Sequence, residues 1–284
     1  MSLSRRQIIT MVGVGATMLA LPSTALSTSP KTTGSKLQAQ LNWLIKRQRR
    51  EGRISSNERT AWSVYDFNNS QKLVAINENR AMQAASMIKL FVALAYFYLH
   101  QQAPHKYAYG ELQQAIIKKM LVHSDNTATN MVMRWCKGPA NVARLCQKAS
   151  GWRFKQLRIV EYIPAGGRTY RNKASAHDYS RFFYALWYDK LPYSTELKRL
   201  LAIENHDRMS SHIMSEGVTV YDKTGSTGRL CGDAGIIKLP NGRAYTFIGI
   251  IERRYKTKSY ARWITTRSGA IREASELVYR FMQT

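Results

Sequence analysis

The sequence predicts an α+β fold, in which an antiparallel β-sheet is flanked by N- and C-terminal helices and stands beside an all-α lobe. An amphipathic helix begins the folded part at residues 37–50, and a second one ends it at residues 268–282. Strand-like segments follow the first helix and precede the last, whereas residues 84–203 carry mostly helical patterns. This order of elements is typical of a sheet covered by terminal helices, with the middle of the chain forming a separate helical layer.

Each element has its own sequence signal. Residues 61–66 and 73–76 flank the polar Asn68-Asn69-Ser70 and predict a hairpin. Residues 84–100 are almost entirely apolar, which predicts a central helix. Further helices are predicted at residues 111–122, 127–136, 140–150, 176–188 and 194–203. Further strands are predicted at residues 219–223, 233–239 and 244–252, the last two joined by a turn at Pro240-Asn241-Gly242.

The N-terminus is typical of a targeting segment. Arg5 and Arg6 precede an uncharged apolar run at residues 10–21, which is short for a membrane-spanning helix and is followed by small residues. We predict a signal peptide over residues 1–27 and a polar linker over residues 28–35. The paired arginines resemble a twin-arginine signal, while an ordinary secretory signal or an uncleaved anchor stays open. The expected location is periplasmic or otherwise extracytoplasmic.

The remaining chain is long enough for one large domain, or for two lobes that share a cleft. We expect the folded domain at residues 36–284, with an α/β lobe at residues 36–85 and 205–284 and an α lobe at residues 86–204. Apolar residues make up 44% of the chain, and this content excludes a disordered protein. We expect a monomer.

The chain is strongly basic. Lys and Arg number 43 against 18 Asp and Glu, for a formal net charge of +25. Such a surface should attract polyanions in a salt-dependent way. The chain lacks the signatures of nucleic-acid-binding modules, so nucleic acid is not an expected partner. Anionic cell-envelope polymers or a lipid surface are possible partners of an exported protein, and a merely solvated basic face is the alternative.

The cysteines do not indicate a metal site. Cys136, Cys146 and Cys231 have no C-x-x-C spacing and no accompanying histidine cluster, so neither a metal nor another cofactor is expected. Cys136 and Cys146 could form a disulfide in an oxidising compartment, and three buried thiols are the alternative.

Three short motifs carry the predicted chemistry. Ser86 and Lys89 form a Ser-x-x-Lys motif in the apolar helix, the string Ser124-Asp125-Asn126 begins another helix, and Lys223-Thr224-Gly225 ends a strand. Each motif alone is a weak signal, because such strings also occur as surface pairs, helix caps or strand ends. Their joint presence in this order predicts nucleophilic catalysis.

The pairing of serine with lysine has a physical reason. A serine hydroxyl is a weak nucleophile until a base takes its proton. Residues three apart on a helix share a face, so the Lys89 amine can reach the Ser86 oxygen. A lysine acts as a base only when its pKa falls, and burial in the apolar helix together with the charge of Lys223 would lower it.

The other motif residues complete an acyl-transfer site. Ser124 can pass a proton to the leaving nitrogen, and Asn126 can hold Lys89 and a substrate amide. The N–H of Ser226 can face the reacting carbonyl opposite the N–H groups at the start of the helix. Gly225 is expected to let the substrate backbone lie close to the strand.

At these motifs the chain resembles the penicillin-recognising serine hydrolases, which include class A β-lactamases and penicillin-binding DD-peptidases. The resemblance extends from about residue 37 to the C-terminus. It implies a β-lactamase/transpeptidase-like fold and an acyl-enzyme on Ser86, with Lys223 and Thr224 binding a substrate carboxylate. The implied substrates are the D-alanyl-D-alanine ends of peptidoglycan stem peptides, or β-lactams.

The chain departs from class A β-lactamases in one loop. Their Glu-x-x-Leu-Asn string, whose glutamate activates the deacylating water, is absent. Alignment on the Ile-Pro pair places Gln156 at the position of that glutamate, whereas counting from Ser124 brings Glu161 there. The alternative is that Glu161 pairs with Arg158 or Arg168. The short spacing from Ser86 to Ser124 also predicts an open site.

Two further residues near the third motif have open roles. Arg229 could help to bind a carboxylate, or it could be a solvated residue at a turn. Asp233 is expected at a turn or a helix cap.

The leading hypothesis is an exported serine acyl-hydrolase of the DD-peptidase kind, because the Glu-x-x-Leu-Asn motif is absent. One alternative is a class A-type β-lactamase that uses Glu161 as its deacylation base. Another is a non-catalytic protein of the same fold that binds cell wall or polyanions, which the high positive charge favours.

Overall fold

The computed structural model describes residues 32–151, 153–205 and 207–284. The predicted signal peptide, residues 1–27, therefore lies outside the described residues. The first helix begins at Thr32, so its first turn falls within the predicted linker and the folded part starts before residue 36.

Helices and strands follow the predicted order. The helices are α1 (Thr32–Arg50), α2 (Lys89–Gln102), α3 (Glu111–Leu121), α4 (Asn126–Trp135), α5 (Pro139–Ser150), α6 (Ala176–Trp187), α7 (Ser194–Leu201) and α8 (Tyr260–Gln283). The strands are β1 (Arg59–Asp66), β2 (Gln71–Ile76), β3 (Met82–Gln83), β4 (Lys173–Ala174), β5 (Thr219–Thr227), β6 (Leu230–Lys238) and β7 (Ala244–Glu252). Two short 3-10 turns lie at Ala85–Ile88 and Ala165–Gly167. The predicted α+β class is confirmed.

The main sheet has five strands in the order β2-β1-β7-β6-β5, and every neighbouring pair is antiparallel. The terminal helices α1 and α8 pack on the sheet and share a core with it around Trp62 and Phe247. A second core joins the sheet to the helical lobe through α2 and α6. Because β5 is an edge strand, its outer backbone groups are free to pair with another chain.

The apolar segment is the central helix that its composition predicted. Residues 89–97 of α2 are all buried, including the side chain of Lys89. Apolar residues face the core on every side of the helix, so the segment carries only a weak amphipathic pattern. The Lys89 amine consequently lies in a desolvated position, which disfavours its charged form.

The third motif and Asp233 lie differently from their predicted positions. β5 continues to Thr227, so Lys223, Thr224 and Gly225 lie in the middle of the strand and not at its end. Asp233 was expected at a turn but is fully buried within β6. Small and polar residues in both strands are also common in turns, so the sequence predicted turns there. The hydrogen-bonded pairing of β5 with β6 keeps these residues in extended strands instead.

The start of α8 is tied to the segment before β1 by a buried carboxylate. Glu58 accepts hydrogen bonds from Trp263 Nε1 at 2.6 Å and from Arg267 Nη2 at 2.8 Å. Both Glu58 and Arg267 are buried. This ion pair holds the start of the long C-terminal helix against the segment before β1.

The three cysteines are free thiols, and each is buried. Cys136 and Cys146 are therefore separate buried thiols and do not form a disulfide. No helix within residues 32–284, as far as they are described, is long and apolar enough to cross a membrane.

Candidate active site

Ser86 lies in the 3-10 turn Ala85–Ile88, immediately before α2, and its side chain is half-buried. Ala85 has a φ of 45°, a left-handed conformation that is strained for a residue with a Cβ. The turn packs directly on β5 at Gly225. A Cβ on Gly225 would come within 3.1 Å of the Met87 nitrogen and 3.2 Å of Ala85 Cβ. Gly225 thus makes room for the serine-bearing turn, and its closeness to a substrate backbone stays a prediction.

The Lys89 amine is the centre of a polar cluster. Lys89 Nζ lies 2.8 Å from Ser86 Oγ, 3.3 Å from Ser124 Oγ and 2.9 Å from Asn126 Oδ1. Two motifs that are far apart in sequence therefore converge on one buried amine. Their catalytic roles stay predictions, but the geometry allows direct proton transfer between Lys89 and either serine.

The pKa of Lys89 is lowered from its usual value of 10.5 to about 7. Burial is the main cause, because it disfavours the charged amine, and the positive charge of Lys223 adds to it. The carboxylate of Asp125 acts in the opposite direction. A substantial fraction of Lys89 is neutral near pH 7 and can accept a proton from Ser86.

The local structure of the second motif explains how Ser124 and Asn126 reach the cluster. Asp125 is the N-cap of α4, where its Oδ1 accepts a hydrogen bond from Ala128 N at 2.6 Å. Ser124 precedes this cap with a φ of 54°. The strained serine and the first helical residue, Asn126, both turn toward Lys89 as a result.

The third motif supplies a second buried cation. Lys223 lies on β5 with only 4% of its surface exposed, and burial lowers its pKa. Asp222 and Asp233 oppose that shift. Burial raises the pKa of both carboxyls, and the nearby charge of Asp222 raises that of Asp233 further. The two carboxyl groups that act on Lys223 therefore have raised pKa values themselves.

Sequence reasoning missed Arg208, which precedes β5 in an irregular segment. Its guanidinium is 3% exposed and donates to Ser226 Oγ, to Gly232 O at 3.1 Å and to Ser268 Oγ at 3.2 Å. The contact with Ser226 places a second cation behind the strand that carries Lys223. No motif or periodic pattern surrounds Arg208 in the sequence, so only the folded chain reveals it.

Ser226 is the second-to-last residue of β5. A two-residue turn, Gly228 and Arg229, joins β5 to β6, and Thr227 pairs with Leu230 next to it. Consecutive residues of an antiparallel strand alternate between bonding to the partner strand and facing away from it. By this alternation the backbone N–H groups of Ser226 and Thr227 point to opposite edges of β5.

Glu161 is held by its own loop. Its Oε1 accepts hydrogen bonds from Thr169 Oγ1, Tyr170 N and Arg171 N, each at 2.9 Å. These donors lower the pKa of Glu161 although partial burial opposes them. The ion-pair partner is Arg171 at 4.0 Å, so the suggested pairing with Arg158 or Arg168 was wrong. The carboxylate of Glu161 thus closes the loop between residue 161 and residues 169–171.

A different part of this loop meets the polar cluster. A Cβ on Gly167 would lie 3.3 Å from Asn126 Nδ2, so the Ala165–Gly167 turn packs next to Asn126. Gln156, the other residue considered for the glutamate position, has its backbone N bonded to Asp178 at the start of α6. Within the described residues, no carboxylate forms a hydrogen bond with Ser86, Lys89, Ser124 or Asn126.

Arg229 connects the β5–β6 turn to the same loop. Its guanidinium stacks over the ring of Tyr170 at 4.4 Å from the centroid. Its Nε is buried and has no hydrogen-bond partner. Arg229 is consequently neither a solvated turn residue nor part of an ion pair among the described residues, and its role in binding a carboxylate stays a prediction.

Together these residues form a site for acyl transfer. Two serine hydroxyls, a buried amine of lowered pKa and two further buried cations lie close to β5. No group of three or more His, Cys, Asp or Glu side chains in the described part of the chain could hold a metal ion. This arrangement defines a serine hydrolase of the penicillin-recognising class.

The chain belongs to the β-lactamase enzyme family, whose family model matches residues 38–109 and 110–282. The resemblance seen in the three motifs is thereby confirmed. The comparison with curated proteins found no match.

Solved structures of the same fold agree with this assignment. The chain is similar to PBP-A, with a TM-score of 0.70 and 23% identity over 88% of this chain and 96% of that one. A mutant of PBP-A, described as an acyl-enzyme complex with penicillin G, gives a TM-score of 0.68, 23% identity and coverages of 88% and 97%. The extended-spectrum β-lactamase TLA-1 gives 0.72 at 16% identity, over 89% of this chain and all of that one. At these identities the similarity establishes the fold.

The lowered pKa of Lys89 predicts the pH dependence of acylation. Below about pH 7 the amine is protonated, so the acylation rate with a penicillin should fall about tenfold per pH unit. Above about pH 7 the base is available and the rate should level off. Stopped-flow acylation between about pH 5 and about pH 9 measures this profile. A rate that keeps rising toward the ordinary lysine pKa would contradict the assignment of Lys89 as the base.

Proposed function

We propose that the protein is a serine acyl-hydrolase of the DD-peptidase kind, which forms an acyl-enzyme on Ser86 with D-alanyl-D-alanine peptides of the cell wall. One observation favours a DD-peptidase over a β-lactamase. Lys89 holds the two hydroxyls and Asn126, whereas the carboxylate of Glu161 is engaged by three donors of its own loop. The site can make an acyl-enzyme, but no carboxylate among the described residues is hydrogen-bonded to this cluster to activate water for its removal.

Acylation follows from the contacts around Lys89. The neutral amine takes the Ser86 proton, and the Ser86 oxygen attacks the substrate carbonyl. The N–H groups of Ser86 and Ser226 would stabilise the oxyanion, as donors aimed at developing charge do. Ser124 would then deliver a proton to the leaving nitrogen, since its hydroxyl lies at 3.3 Å from Lys89.

The buried cations supply the binding of the substrate carboxylate. Lys223 lies on β5 near the nucleophile, and Arg208 contacts the side chain of Ser226 on the same strand. A terminal carboxylate, or the carboxylate of a β-lactam, would lie along Lys223 and Thr224. Both substrates carry this group on the leaving-group side of the scissile amide, so one site accounts for both.

A β-lactamase is the second candidate, because similar structures include proteins of that name. In that case Glu161 would serve as the deacylation base. Its Oε1 is held by Thr169 and by two backbone N–H groups, so only Oε2 would be available for this role. Within the described residues, Glu161 forms no hydrogen bond with Ser86, Lys89, Ser124 or Asn126, and this favours the peptidase.

A chromogenic β-lactam separates the two candidates. We expect one equivalent of chromophore in a rapid burst, followed by very slow release that is the same in Glu161→Ala and in the exposed control Glu111→Ala. Sustained turnover that is lost in Glu161→Ala alone would establish the β-lactamase. Binding of wall polymer with no burst at all would instead favour a non-catalytic protein of the same fold.

The place of action is part of the same proposal. Cell-wall peptides lie outside the cytoplasm, so the enzyme should be exported through its N-terminal segment. Fractionation of expressing cells, with N-terminal sequencing of the mature protein, tests this. Recovery of the full-length chain in the cytoplasmic fraction alone would contradict it.

A further inference from the structure

The end of β5 beyond Ser226 is surrounded by positive charge. Three segments meet there: residues 168–171, the turn at residues 228–229, and residues 253–258 after β7. We call their cationic side chains the basic rim: Arg168, Arg171, Arg229, Arg253, Arg254, Lys256 and Lys258. These three segments contain no acidic residue.

Contacts in the structure join the three segments. Thr257 N donates to Gly228 O at 2.9 Å, and Arg253 N donates to Arg229 O at 2.8 Å. Arg229 in turn stacks over Tyr170. The segment after β7, the β5–β6 turn and the loop of Glu161 therefore form one continuous border. This border stands at the end of the strand that carries the substrate-binding residues.

The charges of the rim are largely unpaired. Of its seven cations, only Arg171 has an acidic partner within the described residues, at 4.0 Å from Glu161. Glu252, which precedes Arg253, is 1% exposed and pairs with Arg59 and Lys173 instead. The Arg253 guanidinium lies over the ring of Trp263 in α8, 5.9 Å from the ring centroid. The side chains of Arg254, Lys256 and Lys258 are exposed and can attract an anionic ligand.

The direction of a bound substrate brings its acyl side to this border. A substrate whose leaving-group carboxylate lies at Lys223 and Thr224 has its scissile carbonyl at Ser86, which abuts Gly225. Its acyl part must then continue along Ser226 and Thr227 toward the β5–β6 turn. The groove is bounded there by β5 on one side and by the turn next to Asn126 on the other.

We propose that the basic rim selects acyl donors with a negative charge on the acyl side, such as peptides that carry free carboxylates upstream of the scissile amide. The inference rests on the proposed function and deepens it by naming the donor class. An anionic donor gains attraction from several unpaired cations at once, whereas a neutral one gains none and a cationic one is repelled.

Three penicillins that differ at one position test this. They are penicillin G, its analogue with a carboxylate on the benzylic carbon of the side chain, and its analogue with an amino group there. The rim variant is Arg254→Glu/Lys256→Glu, in which both residues are exposed. The control is Lys148→Glu/Lys238→Glu, with the same change in charge. Lys238 lies at the other end of β6, about 26 Å from the turn.

The quantity to compare is the acylation rate of the carboxylated analogue divided by that of penicillin G. The intrinsic reactivity of each penicillin is the same with every protein, so it cancels when this ratio is compared between proteins. We expect the rim variant to lower this ratio by about three- to tenfold, and the control to leave it within about twofold. The amino analogue should shift in the opposite direction. The preference should also weaken in about 1 M salt.

The outcomes are distinguishable. If none of the penicillins acylates the protein, the proposed function fails. If all acylate it and the ratio is the same in the three proteins, the function stands and the selection by the rim is refuted. If the ratio is unchanged while only the rim variant stops binding vesicles of anionic phospholipid, the rim belongs to a membrane surface and the donor proposal is overturned.

Discussion

Replacement of Lys89 by methionine should lower the rate of acylation by penicillin by about 10²- to 10⁴-fold, the usual contribution of a general base. The amine is bonded to Ser86 Oγ at 2.8 Å, and no other titratable side chain in the described part of the chain forms a hydrogen bond with that oxygen. Methionine fills a similar volume in α2 but cannot accept a proton. The residual rate should also lose its dependence on pH near 7, because the titrating amine is absent.

The fold should survive this change. A buried amine carries a desolvation cost that methionine does not, although Asn126 Oδ1 loses a donor. Lys118→Met, on the exposed face of α3, is the matched control and should acylate at the wild-type rate. Circular dichroism and the melting temperature check that both variants are folded. An acylation rate within about threefold of wild type in Lys89→Met would exclude the base role.

Replacement of Glu58 by alanine should lower the free energy of unfolding by about 3–5 kcal/mol, as removal of one partner of a buried ion pair does. Glu58 is 3% exposed and accepts from Trp263 Nε1 and from two nitrogens of Arg267. Without it the Arg267 guanidinium, which is 7% exposed, remains buried and lacks its carboxylate partner. The start of α8 would lose its attachment to the segment before β1.

A surface acid nearby provides the comparison. Glu51 is 45% exposed and pairs with Arg47 at 3.6 Å and with Arg53 at 2.8 Å. Glu51→Ala should lower the free energy of unfolding by no more than about 1 kcal/mol, because exposed pairs contribute little. Urea unfolding of both variants measures the difference. Equal losses in the two would show that burial of the Glu58–Arg267 pair is irrelevant.

The contact between Ser86 and Lys89 was predictable because it is local. Ser86 lies in the 3-10 turn that leads into α2, and Lys89 is the first residue of that helix, so the two side chains are three residues apart on a helical path. The cap at Asp125 likewise defines the start of α4. Apolar composition alone indicated that Lys89 would be buried, and its burial is the main cause of the lowered pKa.

Other features depend on contacts between distant segments. Arg208 reaches Ser226 from an irregular segment, and nothing near it in sequence indicates this. The packing of the Ala85 turn on Gly225 also escaped prediction, because that turn belongs to another part of the chain. Glu161 was located correctly in a loop, but its partners were not, since hydrogen bonds to backbone N–H groups leave no trace in residue identity.

The attachment of one penicilloyl group to Ser86 tests the central claim most directly. Trypsin should release residues 81–89 as one peptide, between Arg80 and Lys89, and Ser86 is its only hydroxyl-bearing residue. After mixing with penicillin G, this peptide should gain the mass of one penicilloyl group and keep it through a long chase without ligand. An unmodified peptide in a protein that still binds penicillin, or an adduct on another peptide, would contradict acyl transfer to Ser86.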